Sequence, residues 1–373
     1  MFYTKNTRSM TLKDRALSER NLYAAIYALP NIVNEVGLLS QEDLLLYADI
    51  RQRKYIAHEN LIAECRDTLK RALDDDNKVS LFSVSIYFQL KKVNEDGSLE
   101  YRPIHTADIK TLICLQALAN VVFFDDDLDK GTRQINAVCK LVPNNFYGNL
   151  LSTDVEYVYK NWVDQYKGYV QTAIDKHRKY AKTKEYTHEA YLDVKNFFPN
   201  INPNVLYEKL LRRFPECEDK KYLARILQLL LYFKIDGGLN EQERALYYGK
   251  SVASTGSLYT KGLPQGLPHC AFFANWMMMD VANVVDKNLK GDKVYYVDDI
   301  TVFCNDDEKA LKEKVSQINQ ELSEISQDSH SPLDEVNAFF KDNIIVFNIQ
   351  LHDNEKCCSY PIGQENTSID KGT

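Results

Sequence analysis

The chain has 373 residues, 45% of them hydrophobic and 27% charged, a balance that excludes global disorder, a collagen-like repeat and a coiled coil. Lys and Arg total 46 against 53 Asp and Glu, a formal net charge of −7. A coat that holds nucleic acid by charge alone would be basic, so any such contact needs a local groove, metal ions or another subunit. No apolar run approaches the roughly 18 residues that span a bilayer.

The polar stretch 1–15 has no apolar signal core, and a cytoplasmic location is expected. Residues 1–78 read as an accessory helical region. Leu22, Ala25, Ile26 and Leu29 recur at helical spacing in Ser18–Leu29, with Pro30 expected to stop that helix. Ser40 is a good N-cap for Gln41–Ile50, with Glu42 and Asp43 in its first turn. A third helix is expected over His58–Leu73, ended by the acidic turn Asp74-Asp75-Asp76-Asn77.

Val79–Leu90, rich in β-branched and aromatic residues, then the turn Asn94-Glu95-Asp96-Gly97, then an extended run through Tyr101 and Ile104, read as a β-hairpin. Asp108–Phe123 predicts a helix with Leu112, Leu115, Leu118 and Ala119 on one face, and Asp125–Asp127 a solvated loop. Between Thr153 and Glu189, seven cationic residues alternate with six tyrosines. The pattern suits a nucleic-acid track, but a long amphipathic helix with half-buried tyrosines is the preferred reading. Further on, a strand is expected at Tyr191–Val194. Helices follow at Asn202–Phe214, Tyr222–Phe233 and Ala271–Val285, then a hairpin over Val294–Phe303 and a last strand at Ile344–Leu351. The tail 363–373 is polar. Eight cysteines and seven histidines follow no CxxC or HExxH spacing; the cysteines read as reduced core residues, with no structural zinc site.

Three segments carry chemistry. In Val294-Tyr295-Tyr296-Val297-Asp298-Asp299-Ile300-Thr301-Val302-Phe303, two adjacent carboxylates lie between apolar β-formers. Asp is disfavoured in strands, and burying two like charges is costly unless a cation compensates. A hairpin tip presenting carboxylates to divalent metal accounts for them. In Tyr191-Leu192-Asp193-Val194-Lys195-Asn196-Phe197-Phe198-Pro199, a lone Asp ends an apolar strand and can supply a third oxygen ligand for Mg²⁺. Gly262-Leu263-Pro264-Gln265-Gly266-Leu267-Pro268 is a stiff loop whose backbone can approach a flat ligand closely.

In this order and spacing, Asp-x-x-x-Phe-Phe, Pro-Gln-Gly and Tyr-x-Asp-Asp resemble motifs A, B and C of reverse transcriptases. Upstream, Lys91-Lys92 through Arg102-Pro103-Ile104 resembles the fingers hairpin of that family, and Asn145-Phe146-Tyr147-Gly148-Asn149 its next block. Downstream, Asn354-Glu355-Lys356 is a poorer likeness of motif D. The similarity covers roughly residues 80–360. Within the family the closest look is to bacterial defence-associated enzymes of the abortive-infection and "unknown group" kinds.

The resemblance implies an α+β right-hand polymerase. Its parts would be an N-terminal helical region at 1–78, fingers and connecting helices at 79–190, a palm at 191–362 and a polar tail at 363–373. Only 17 residues follow Lys356, which leaves no recognisable thumb. The implied activity is RNA-directed DNA synthesis from dNTPs by two-metal nucleotidyl transfer, in antiphage defence, templated by a noncoding RNA or primed on protein. The implied metal ligands are Asp193, Asp298 and Asp299 with the Val194 carbonyl, for two Mg²⁺ ions or Mn²⁺ in their place. Lys91 or Lys92 and Arg102 would clamp the dNTP phosphates, and Phe198 would exclude a 2′-hydroxyl. Gln265 and Gly266 would lie under the base pair, and Lys356 would protonate pyrophosphate. The implied partners are an RNA template, a DNA product and a second copy, protein or RNA, with no membrane. The alternative is a catalytically idle palm serving as a nucleic-acid-binding or assembly subunit.

Overall fold

The computed structural model describes residues 10–33, 36–52, 58–74, 80–94, 96–127, 132–154, 157–214, 219–252, 256–325, 329–354 and 356–363. Four helices come first: α1 (Leu12–Leu17), α2 (Glu19–Ile32), α3 (Gln41–Arg51) and α4 (His58–Asp74). Thr11, Ser18 and Ser40 cap the first three, each side-chain oxygen accepting from the backbone N–H three residues on. Pro30 does not stop α2, which runs on to Ile32. A proline this close to a helix end removes one hydrogen bond only, and Leu29 and Ile32 are both buried. Of the acidic turn expected at 74–77, only Asp74 lies within the described residues.

β1 (Ser83–Val93) and β2 (Leu99–Thr106) form the expected hairpin, antiparallel from Ser85↔Thr106 to Val93↔Leu99 with a bulge between Leu90 and Lys92. Its turn is closed by Asn94 N–H donating to the Ser98 carbonyl at 2.8 Å; Glu95 lies outside the described residues. Asp108 caps α5 (Ile109–Phe123). This helix is buried on all sides rather than on one face, because α1, α2, α4 and a later helix surround it. Its two buried polar residues are linked in a chain, Gln116 donating to Asn120 at 2.8 Å and Asn120 to Asn21 at 3.0 Å. The acidic run expected as a loop is a strand instead: β3 (Phe124–Asp127) pairs antiparallel with β4 (Thr132–Ile135). Phe124 is buried, with the Arg133 guanidinium 4.3 Å above its ring, and this contact anchors the pair.

The remaining elements are β5 (Phe146–Tyr147), α6 (Trp162–Thr183), β6 (His188–Asp193), α7 (Phe197–Asn200), α8 (Pro203–Arg213), α9 (Lys220–Leu231), β7 (Lys234–Ile235), α10 (Glu241–Tyr248), α11 (Cys270–Asn288), β8 (Asp292–Tyr296), β9 (Asp299–Cys304), α12 (Glu308–Ile325), α13 (Asp334–Asp342) and β10 (Cys358–Pro361). α6 is the long amphipathic helix, with Tyr169 and Tyr180 buried and Lys167, Arg178, Lys179 and Lys182 exposed. A five-stranded sheet has the order β10-β6-β9-β8-β5, antiparallel except for the β5–β8 edge. A three-stranded sheet, β2-β1-β7, carries the hairpin.

Ile344–Leu351 is not the last strand. It touches the large sheet only through a bridge between Leu351 and Val194, and β10 takes the edge beside β6. Cys65, Cys114, Cys139, Cys270, Cys304 and Cys357 are buried and Cys358 is half-buried, all as free thiols; Cys217 lies outside the described residues, as does the tail beyond 363. No described helix is long and apolar enough to cross a membrane.

Candidate active site

The site is built at one end of the five-stranded sheet. The β6–β9 register sets Asp193 opposite Asp299, and the β8–β9 register sets Tyr296 opposite Asp299. Val297 and Asp298 are therefore a two-residue hairpin tip. Val297 has φ of 54°, costly for a β-branched residue, and its neighbours hold it there. Tyr295 N–H donates to the Asn145 carbonyl at 2.9 Å and Val297 N–H to the Tyr147 carbonyl at 3.2 Å. Gly148 leaves the space that Val297 fills: a Cβ there would lie 2.7 Å from Val297 Cγ2. Asn275, buried on α11, donates to the Gly148 carbonyl at 3.2 Å. The Asn145–Asn149 block thus acts as a brace for the tip.

On the other side, Val194 N–H donates to the Asp298 carbonyl at 3.2 Å. Lys195 N–H donates to the Gln350 carbonyl at 2.8 Å and His352 N–H to the Asp193 carbonyl at 2.9 Å. Residues 350–352 thereby bring in Lys356, whose Nζ donates to Asp193 Oδ2 at 2.8 Å. Burial alone would lower the Lys356 ammonium, but its bond to Asp193 and that carboxylate's charge outweigh it, so its pKa is raised. His352 Nε2 lies 3.9 Å from the same oxygen; burial pushes its pKa down against the pull of Asp193. Tyr191, on β6, donates its hydroxyl to Asp299 Oδ1. Burial, with Asp193 adding to it, pushes Asp298 up to about 6. Asp299 goes up to about 7 for the same first reason, with both neighbouring carboxylates adding and the Tyr191 bond opposing.

The Gly/Pro loop joins this end of the sheet to the β1–β2 hairpin. Leu263 N–H donates to the Phe198 carbonyl at 3.0 Å, and His105 N–H to the Gln265 carbonyl at 2.7 Å. A Cβ on Gly262 would lie 2.6 Å from Pro199 backbone atoms, and one on Gly266 would collide with the His105 carbonyl; both glycines have positive φ. His105 is buried and held neutral, its pKa down to about 4. Its Nδ1 lies 3.2 Å from the Gln265 carbonyl and its Nε2 2.9 Å from the Tyr247 hydroxyl, which accepts from Lys261 N–H at 2.9 Å. Phe198, Gln265, Gly266 and Val297 line one cavity of about 520 Å³. Arg102 shares a second, of about 220 Å³, with Gln265 and Gly266, and its charge reaches Asp298. Lys91 and Lys92 both turn to Glu100, at 2.6 Å and 3.4 Å.

The sheet end thus gathers Asp193, Val194, Asp298, Asp299 and Lys356, with Arg102, Phe198, Gln265 and Gly266 around the adjoining cavities, while Lys91 and Lys92 stay on the hairpin with Glu100. Tyr191, His352 and His105 escaped the sequence reading. Tyr191 precedes Asp193 by two, so strand alternation places both on one face, and that was the available signal for it. His352 and His105 carried none. Glu355, from the downstream likeness, lies outside the described residues.

Among the described residues no three His, Cys, Asp or Glu side chains stand close enough to hold a cation as they are turned. Asp193 faces Lys356 and Asp299 faces Tyr191. The donor chemistry nevertheless fits a hard divalent ion. All the side-chain donors are carboxyls, the two at the tip are disfavoured as free anions by burial, and each partner is a single hydrogen bond that a side-chain rotation releases.

Residues 130–328 match the sequence family of reverse transcriptase (RNA-dependent DNA polymerase). That span holds Asp193, Phe198, the Gly262–Pro268 loop and the Asp298-Asp299 tip, and it leaves the β1–β2 hairpin and Lys356 outside. No curated protein matches the sequence. The match covers more than half of the chain, which belongs to the reverse transcriptase family and is an RNA-directed DNA polymerase, a nucleotidyltransferase using dNTPs and an RNA template to make DNA.

Proposed function

We propose that the sheet end is the polymerase palm and that it works by two-metal nucleotidyl transfer. The observation that carries this is the register that sets Asp193 opposite Asp299, beside a tip holding Asp298. Asp193, Asp298 and Asp299, with the Val194 carbonyl, would hold two Mg²⁺ ions, or Mn²⁺ in their place. When bound, these lower the pKa of the primer hydroxyl and stabilise the leaving pyrophosphate.

The β1–β2 hairpin serves as the fingers. Arg102 offers a planar fork to the triphosphate. Lys91 and Lys92 exchange Glu100 for phosphate oxygens. Phe198, on the wall of the 520 Å³ cavity, sets a ring where a 2′-hydroxyl would clash and so favours deoxynucleotides. Gln265 and Gly266 support the base pair. Lys356, kept protonated by its raised pKa, donates its proton to pyrophosphate. The test is incorporation of labelled dNTPs with Mg²⁺. Loss in Asp298→Asn and Asp193→Asn supports the assignment, and retained incorporation in either overturns it.

The likeness of the Arg102-Pro103-Ile104 and Tyr147-Gly148-Asn149 blocks to defence-associated bacterial enzymes supports a further reading. In it the enzyme acts in the cytoplasm against phage, in an oligomer or a complex, copying a noncoding RNA or priming on protein. Phage plating on cells carrying the wild type or Asp298→Asn tests the role. Label released by ribonuclease pretreatment or by protease separates the two kinds of synthesis, and light scattering reads the assembly.

One observation favours the idle-palm alternative. Lys356 and Tyr191 already satisfy two of the three carboxylates, so the site is tolerable without metal. A melting shift on adding Mg²⁺ and a dNTP, absent in Asp193→Asn, would reject that reading.

A further inference from the structure

The 520 Å³ cavity extends beyond the residues already assigned to the nucleotide. Besides Phe198, Val297, Gln265 and Gly266, its wall carries Tyr157, Lys160 and Trp162. Trp162 is 69% exposed and Tyr157 45%, whereas the other tryptophan, Trp276, is 1% exposed with Arg213 above its ring at 4.9 Å. Leaving an indole in water forgoes the burial that normally stabilises it, and here it stands beside a cation at the rim of a site for nucleotides.

The segment that carries these rings is rigidly held. Lys160 N–H donates to the Leu150 carbonyl at 2.8 Å and Ser152 N–H to the Val158 carbonyl at 2.9 Å. Buried Gln165 accepts from Leu150 N–H at 2.9 Å and donates to the Lys160 carbonyl at 2.8 Å. Tyr159 donates its hydroxyl to the Pro268 carbonyl, tying the segment to the Gly262–Pro268 loop. Asn161 caps α6 directly before Trp162. The rings therefore stand on a fixed base, which lowers the ordering cost of stacking.

We propose that Trp162 and Tyr157 form a stacking platform for unpaired bases of the RNA template as it approaches the catalytic carboxylates. This rests on the polymerase reading of the site. If Gln265 and Gly266 support the forming pair, the nucleic acid reaching beyond them toward Trp162 is single-stranded. A dNTP contributes one nucleotide and the primer ends at the pair, so the template is the strand with bases to place there. Aromatic faces accept any base, and a lysine follows the backbone, which suits a strand whose sequence changes at every step.

The two tryptophans make the test direct. Fluorescence is recorded in EDTA, so no turnover is needed, with oligo(A) RNA, a blunt RNA–DNA duplex or dATP as the probe. The expected result is quenching by the single strand, little by the duplex or dATP, and none in Trp162→Phe, where only buried Trp276 reports. Trp162→Ala should weaken oligo(A) binding about tenfold and leave the KM for dNTP unchanged, while Trp162→Phe restores binding. Quenching that persists in Trp162→Phe, or single-strand affinity unchanged in Trp162→Ala, overturns the platform. Quenching with the expected specificity from a protein that incorporates no dNTP upholds the platform and removes the polymerase reading instead.

Discussion

Replacing Gly262 by alanine tests how the Gly/Pro loop holds Phe198 in place. The new Cβ would stand 2.6 Å from the carbonyl carbon and Cα of Pro199, and nearer still to the Phe198 carbonyl. All three are backbone atoms, so no rotamer change relieves the contact. The residue also sits at φ of 71°, where a Cβ costs about 1–2 kcal/mol. Overpacking adds about 1–3 kcal/mol, for a total loss of roughly 2–5 kcal/mol. Gly249 supplies the control: its φ is 73°, and a Cβ there meets nothing within 4 Å. Gly249→Ala should therefore show the backbone strain alone. Urea denaturation of the two variants isolates the close approach as their difference. A second readout follows from the Leu263–Phe198 hydrogen bond. Gly262→Ala should displace the Phe198 ring and reduce discrimination between dNTP and rNTP, whereas Gly249→Ala should leave it intact. Equal stability losses in the two variants, or unchanged discrimination in Gly262→Ala, would refute the reasoning.

Asp298 and Asp299 have folded-state pKa values raised to about 6 and about 7, so between about pH 4 and 7 the folded protein binds more protons than the unfolded one. Their contribution to stability therefore falls as pH rises through that window. In EDTA the melting temperature should respond in that sense, and the slope should flatten in the double variant Asp298→Asn, Asp299→Asn; an identical slope in that variant would count against the burial argument. Tyr247→Phe removes a hydroxyl that serves both His105 and the Lys261 amide, and should cost about 1–3 kcal/mol by leaving buried groups unpaired; denaturant titration showing no loss would sink it. Gly148→Ala sets a Cβ 2.7 Å from Val297 Cγ2 and should abolish Mg²⁺-dependent incorporation by shifting Asp298, with circular dichroism showing that the fold survives; full activity would show that the brace is dispensable.

The most legible parts were those where residue type conflicts with its neighbourhood. Two aspartates between β-formers announced a hairpin tip, and Ser40 announced a helix start because a side-chain oxygen beside an apolar run has few other uses. What escaped depends on partners distant in sequence. The alternation in Ile344–Leu351 suits a strand, but only Leu351 finds a bridging partner, in Val194. Cys358–Pro361 is short and proline-bearing, and it becomes a strand because the β6 edge is open to it. The acidic run after Phe124 became a strand through Arg133, which nothing local foretold. The pairing of Lys356 with Asp193, and of Tyr191 with Asp299, follows from sheet register and chain return, neither of which a linear pattern contains.

The brace around Val297 has a consequence for how the enzyme comes into being. The tip that carries Asp298 is held by residues 145–149, and β5 pairs with β8 in parallel across some 150 positions of chain; Asp193 is met by Lys356 over a separation of 163 residues. Closing such wide loops is the slow part of folding. The helical layer closes loops of similar width: Leu12 N–H on α1 donates to Asp219, at the start of α9, across 207 positions, and Asn21 on α2 donates to the Ala117 carbonyl on α5 across 96. Catalytic competence therefore has no separate, late step of its own: the site and the helical layer depend on equally distant closures, so loss of activity should accompany loss of helical signal in any gradual denaturation.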